Sequence, residues 1–187
     1  PVILPIMSLM VRDAIETKIW GNSERKKVLV LEEAAKILDI PGQLKAIEYT
    51  AQTVRKYNAS QVLIIQTIDN IPENEMGKAI LTNTHTYWLF EQTKGLRSLI
   101  NRLNLHDHAV DLLKSVRSNV KGKNPYTEFA VMLDQLVNVY RLETPREAYW
   151  TYVSDKDLKA MLYKEIEKTG DIQQAIINMV NYENRTN

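Results

Sequence analysis

The sequence predicts an α/β fold with a largely parallel sheet, a β-hairpin and C-terminal helices. Three observations carry that prediction. Two short apolar runs, Val28-Leu29-Val30-Leu31 and Val62-Leu63-Ile64-Ile65, each stop on polar residues, as buried parallel strands do. Between them Gln43 to Tyr57 is amphipathic, with Leu44, Ile47, Ala51 and Val54 on one face. Strand and helix patterns then keep alternating along the chain.

Composition narrows the class. With 187 residues, 44% apolar and 25% charged, the chain can bury the core of one domain and is not disordered. A net charge of +1 gives no strong field for nucleic acid. The absence of cysteine excludes disulfides, thiolate catalysis and cysteine-ligated metals. The opening run Pro1 to Val11 is apolar but has no basic leader and no cleavage site, and it is too short to span a bilayer before Arg12 and Asp13. It reads as an interior helix of a longer chain.

Each element has a local cause. Ile6, Met10, Ile15 and Ile19 predict a helix over about residues 5–19, stopped by Gly21-Asn22-Ser23. The first strand delivers Glu32 and Glu33. Pro41-Gly42 breaks the chain before the helix over 43–57. Asn58-Ala59 turns into the second strand, which ends on Gln66. A short helix over 73–82 and a third strand over 84–90 follow, with Gln92 just past it. Helices are expected over 96–103 and 106–117, broken at Asn104, then a loop at Lys121 to Pro125. Runs 128–133 and 136–142 form the hairpin around Asp134-Gln135. Aromatic residues 147–153 read as extended. Ser154-Asp155 starts a helix to about 168, Gly170 ends it, and Asp171 caps a last helix to about 182.

Polar groups gather at strand and helix ends: Glu32 and Glu33, then Arg55, then Gln66. In open α/β sheets ligands lie outside the carboxyl ends of strands. A first carboxylate there can order Mg²⁺ and a second can polarise an attacking water. The plainer reading is that the two glutamates favour a helix N-terminus and that Arg55 and Lys56 suit a helix C-terminus.

Three segments together carry a resemblance. They are Val28-Leu29-Val30-Leu31-Glu32-Glu33-Ala34, Thr53-Val54-Arg55-Lys56-Tyr57-Asn58 and Val62-Leu63-Ile64-Ile65-Gln66-Thr67-Ile68-Asp69-Asn70-Ile71. In this order they resemble the conjugative-transfer and type IV secretion ATPases of the HerA/FtsK superfamily, including TraC-like and Bacteroides TraG-like proteins. The resemblance covers nearly the whole chain. It implies a partial RecA-like P-loop NTPase fold, with residues 1–187 as the C-terminal portion of one motor domain. It also implies site roles: Glu32 ordering Mg²⁺ through water, Glu33 as general base, Gln66 sensing the γ-phosphate, and Arg55 as an arginine finger toward a neighbouring subunit. ATP and Mg²⁺ are the implied ligands of the intact parent, and none is expected to stay bound to this chain alone. Implied partners are other copies in a hexameric ring (a dimer for this chain), other secretion or conjugation proteins and DNA. The implied location is the cytoplasmic face of the bacterial inner membrane, without a transmembrane segment.

The phosphate cradle is missing. It needs Gly-x-x-x-x-Gly-Lys-Ser/Thr, and none of the six glycines has that context. The expectation is a chain that lacks the Walker A part and does not hydrolyse ATP alone. Glu32 also stands where aspartate is usual, Ala35 where an aromatic is common, and Ile65 where threonine is frequent. The alternative from another class is a P-loop-less module that binds protein or DNA. Lesser candidates have plain explanations. His106 and His108 point to different faces of a helix and suit its N-terminus. Lys114, Arg117, Lys121 and Lys123 suit a solvated helix end. Tyr149, Trp150 and Tyr152 suit a half-buried strand.

Overall fold

A computed structural model describes residues 13, 15–21, 23–40, 42–119 and 125–186. Most of the helix expected over 5–19, the break at Pro41 and the loop residues Lys121 to Asn124 lie outside them. Within the first of these, Glu16–Trp20 forms a single π-helical turn. The chain divides into two compact units. The first comprises the described residues of Pro1–Tyr87 with Gln92–Val110 and Met132–Leu136, and the second comprises the rest.

The first unit is built on two parallel strands, β1 (Lys27–Leu31) and β2 (Ala59–Leu63), in register from Lys27↔Ala59 to Leu31↔Leu63. Between them run α1 (Ala34–Leu38), α2 (Gln43–Thr53) and a 3-10 turn, Val54–Tyr57. Asn58 then takes a left-handed φ of +53°, which asparagine tolerates, and reverses the chain into β2. A 3-10 turn, Ile68–Asn70, and α3 (Glu75–Thr82) follow. Leu38, Leu44, Ile47, Ile71 and Ile80 form the core, with Leu31, Leu63 and Ile65 of the strand ends packed on it.

That core covers one face of the strand pair. Val28 and Val30 are 64% and 53% exposed, and Val62 and Ile64 also face outward. An unbroken apolar run predicts burial on both faces. Here burial alternates along both strands, because the described helices pack on one side only. On the packed side sits an anomaly. Both amide atoms of Gln61, whose strand partner is Leu29, are buried with no hydrogen-bond partner among the described residues. An unsatisfied buried polar group costs about 1–3 kcal/mol. Gln61→Leu is therefore expected to stabilise the protein, raising Tm by about 2–4 °C per kcal/mol regained. A lower melting temperature for that variant would refute the assignment.

The rest of the chain continues through β3 (Thr86–Phe90), α4 (Leu96–Leu103) and α5 (Asp107–Ser115). Asn104 breaks the two helices at φ +50°, as its place in the sequence predicts. β4 (Ser118–Asn119), β5 (Tyr126–Leu133) and β6 (Leu136–Leu142) complete a second sheet. There β3, β4 and β6 all pair with β5, and β4 runs antiparallel to it. The β5–β6 hairpin turns at Asp134-Gln135, with Asp134 at φ +53°. The third strand thus joins the hairpin, and the parallel pairing described is that of β1 and β2.

The second unit ends in α6 (Arg146–Thr151), α7 (Lys156–Thr169) and α8 (Ile172–Thr186). The extended segment expected over 147–153 is corrected to α6. In a strand Trp150 and Tyr152 would share a face. Instead Trp150 is 1% exposed, packed with Leu162, Ala175 and Met179, while Tyr152 is 83% exposed. The helix starts where Pro145 accepts the Tyr149 N–H at 2.9 Å. Arg146 lies over the Tyr149 ring and pairs with Glu183 of α8. Asp155 caps α7 through the N–H groups of Asp157 and Leu158, and Asp171 caps α8 through those of Gln173 and Gln174.

One ion pair in this unit sets a pH dependence. The Arg141 guanidinium, 2.8 Å from the Glu128 carboxylate, holds that carboxyl below the usual glutamate range, and the Arg117 N–H adds to the effect. A carboxyl depressed in the folded state binds protons more weakly there than in the unfolded chain. Its contribution is present above the ordinary glutamate pKa and is lost as pH falls through the folded value. Melts from about pH 5 down to 3 should therefore fall less steeply for Glu128→Gln than for the wild type. Glu165, lowered by its hydrogen bonds from Asn178 and Lys168, contributes in the same direction and is untouched by that substitution.

Candidate functional site

The strand pair brings Glu32, Glu33 and Gln66 to one end. Ile64, the residue after β2, donates its N–H to the Leu31 carbonyl and accepts the Ala34 N–H on its own carbonyl, both at 3.0 Å. Glu32 and Glu33 lie between those two bonds, so they leave the ladder as a two-residue turn at the carboxyl end of β1. Gln66 leaves β2 two residues beyond Ile64, at the same end. All three are exposed.

Glu33 holds this turn at a conformational cost. It adopts φ +50° and ψ +40° and caps α1 by backbone geometry, without a side-chain cap bond. A left-handed conformation costs a residue with a Cβ about 1–2 kcal/mol. Glu33 thus stands at the helix N-terminus, where an acidic group is favoured, with its side chain turned to Lys36. Both partners of that pair are mostly exposed, so the bond is weak and readily exchanged. Backbone strain of this kind clusters where a side chain must be aimed.

Beyond Gln66 the chain is fixed at once. Thr67 and Asn70 form a reciprocal capping box around the 3-10 turn, with the Asn70 side-chain oxygen 3.2 Å from the Thr67 N–H. Such a box is legible as a threonine followed three residues later by an amide.

Arg55 stands elsewhere. It lies in the turn before β2, where the Asn58 carbonyl accepts the Lys27 N–H at 3.1 Å, at the amino end of the strand pair. Five strand residues at about 3.3 Å each put that end about 17 Å from the carboxylates. Arg55 is exposed and has no ion-pair partner among the described residues. Arg25, Lys26 and Lys56 are exposed at the same end. One end of the pair is thus acidic and the other basic.

The lesser candidates resolve into local structure. His106 accepts the Ala109 N–H at 3.2 Å and so caps α5, its other nitrogen lying 3.2 Å from the Gln135 carbonyl. The Arg117 guanidinium bonds the carbonyls of Lys114 and Val116. Lys121 and Lys123 lie outside the described residues. No three His, Asp or Glu side chains converge on a metal site among the described residues. No helix among them is long and apolar enough to cross a membrane.

Comparison with known proteins fits this arrangement. The TraG P-loop domain matches residues 1–183. This chain belongs to the TraG P-loop domain family. Among solved structures it is similar to VirB4 of Thermoanaerobacter pseudethanolicus, with 24% identity and a TM-score of 0.50, over 68% of this chain. That likeness concerns the fold, and the chain spans 33% of the VirB4 structure. No curated protein matches it. Within the TraG P-loop family the chain is an α/β member whose acidic turn follows a parallel strand.

The chemistry of the exposed turn is that of oxygen ligands for a hard cation, with two carboxylates in sequence. Mg²⁺ usually takes one or two carboxylates together with substrate phosphates, and the turn would supply only the carboxylates, Glu32 and Glu33. The backbone cradle for those phosphates needs glycines in a context that none of the six provides.

Proposed function

We propose that the chain is the carboxylate-bearing part of a motor ATPase that powers conjugative DNA transfer or type IV secretion. One observation carries the reading. A parallel strand delivers two carboxylates in a strained turn, beside the glutamine that leaves the neighbouring strand. Membership of the TraG P-loop family supports it.

In this reading Glu32 would hold Mg²⁺ through water, and the ion, when bound, would supply charge neutralisation to the nucleotide. Glu33 accepts a proton from the attacking water once Lys36 is displaced. Gln66 donates to the terminal phosphate or orients that water. Arg55, at the far end of the strands, serves the nucleotide of a neighbouring copy, which implies a closed head-to-tail ring. The phosphate cradle belongs to sequence outside this chain, so the chain alone binds ATP poorly and does not turn it over. The partners that follow are further copies, other proteins of the apparatus and DNA, at the cytoplasmic face of the inner membrane.

ATP turnover by the full-length protein, wild type beside Glu33→Gln, is the test. Wild-type turnover that Glu33→Gln abolishes upholds the reading. A wild type that neither binds nor hydrolyses ATP overturns it, and the fold then serves as a binding module for protein or DNA.

A further inference from the structure

Gln66 sits at the head of a loop, and one stripe of α4 grips that loop. Gly95, Ser98 and Arg102 are spaced three and four residues apart, so they share a side of the helix and its entry. Each meets the segment Thr67 to Pro72. A Cβ on Gly95, which has φ +78°, would lie 3.1 Å from the Thr67 hydroxyl and 3.8 Å from the Asp69 carboxylate. The Ser98 hydroxyl donates to the Asp69 carboxylate. The Arg102 guanidinium donates to the carbonyls of Ile68 at 2.6 Å, Ile71 at 2.7 Å and Pro72 at 3.4 Å. On its other side the loop meets α3 so closely that a Cβ on Gly77 would lie 1.9 Å from the Pro72 carbonyl oxygen.

Arg102 is half-buried and has no carboxylate partner among the described residues. Its charge is matched by three carbonyl dipoles of one loop. The Ile68 carbonyl also accepts the Ile71 N–H at 3.0 Å, and a planar fork with five N–H groups reaches all three carbonyls in one fixed geometry. A lysine could reach one of them but not hold three in a set arrangement.

We propose that Arg102, with Ser98 and Gly95, is a positioning device for Gln66, so that a shift of α4 moves the glutamine relative to the two carboxylates. The proposal rests on the reading of Gln66 as the group that meets the terminal phosphate. Arg102 acts through the loop backbone and touches no substrate itself.

Steady-state ATP turnover of the full-length protein, with amide hydrogen exchange over the loop, tests it. The variants are Arg102→Gln, Arg102→Lys, Ser98→Ala and Gln66→Ala. Misplacing a catalytic group by about 1 Å can cost up to about 10²-fold in rate. Arg102→Gln is expected to lower kcat by about 10–10²-fold with KM little changed. It should also speed exchange at Asp69 and Asn70 while β1 and β2 stay protected. Arg102→Lys should recover part of kcat. Ser98→Ala, milder and safe for folding, should lower kcat in the same direction. Unchanged kcat in both Arg102→Gln and Ser98→Ala, with Gln66→Ala inactive, overturns the positioning role. So does faster exchange throughout the first unit, which marks a purely structural arginine. If Gln66→Ala itself keeps full turnover, the reading of Gln66 fails first.

Discussion

Glu33→Gln in the full-length protein is expected to lower ATP turnover by about 10²–10⁴-fold, the range of a positioned general base. Nucleotide binding should persist, because glutamine fills the same space and removes a negative charge from the neighbourhood of the phosphates. A second substitution separates chemistry from backbone strain. Glu33 sits at φ +50°, and glycine adopts that conformation without steric cost. Glu33→Gly should lose turnover as Glu33→Gln does, yet raise stability by about 1 kcal/mol, or about 2–4 °C in Tm. A gain in stability with loss of activity would show that the strain is kept for aiming the carboxylate. Retained turnover in Glu33→Gln would remove Glu33 from the chemistry altogether.

The acidic turn could be read in the sequence because its cause is local. An apolar β-branched run that stops on two carboxylates specifies both the strand and what lies at its end, and the parallel register then brings Gln66 alongside. The caps at Asp155 and Asp171 and the breaks at Asn58, Asn104 and Gly170 were legible for the same reason. What escaped depends on partners distant in sequence. Residues 147–153 have aromatic side chains that suit a strand, but contacts from α7 and α8 on Trp150 override that propensity. The exposure of Val28 and Val30 depends on which helices cover a sheet, and no strand encodes that by itself. The grip of Arg102 spans about thirty residues of sequence between its donors and acceptors. Its only linear trace is the three-and-four spacing of Gly95, Ser98 and Arg102, which resembles any polar stripe until the loop is seen against it. The distance of Arg55 from the carboxylates was legible in part. An arginine at the end of a returning helix must sit at the amino end of the next parallel strand.

Arg55→Ala is expected to cost about 10³–10⁵-fold in turnover, the span measured where an arginine finger is removed. The structure adds a condition to that loss. Arg55 and Glu33 lie at opposite ends of the same parallel strands, about five residues or 17 Å apart by strand rise. No single phosphate group can meet both within one copy, so an Arg55 that acts as a finger must complete a site whose Glu33 belongs to another copy. Mixing two inactive proteins then restores activity. A Glu33→Gln copy still offers a sound Arg55, and an Arg55→Ala copy still offers a sound Glu33. With equal, random mixing in a ring, about a quarter of the interfaces pair an intact Glu33 with an intact Arg55. Turnover should rise to about a quarter of the wild-type value, far above either variant alone. Because Arg25, Lys26 and Lys56 share the exposed end with Arg55, the recovery should weaken as salt shortens the reach of their charges. A mixture no more active than its components, in rings shown to exchange subunits, would place the completing cation elsewhere. Arg55 would then be a surface residue that suits a helix end, as its local sequence alone allows.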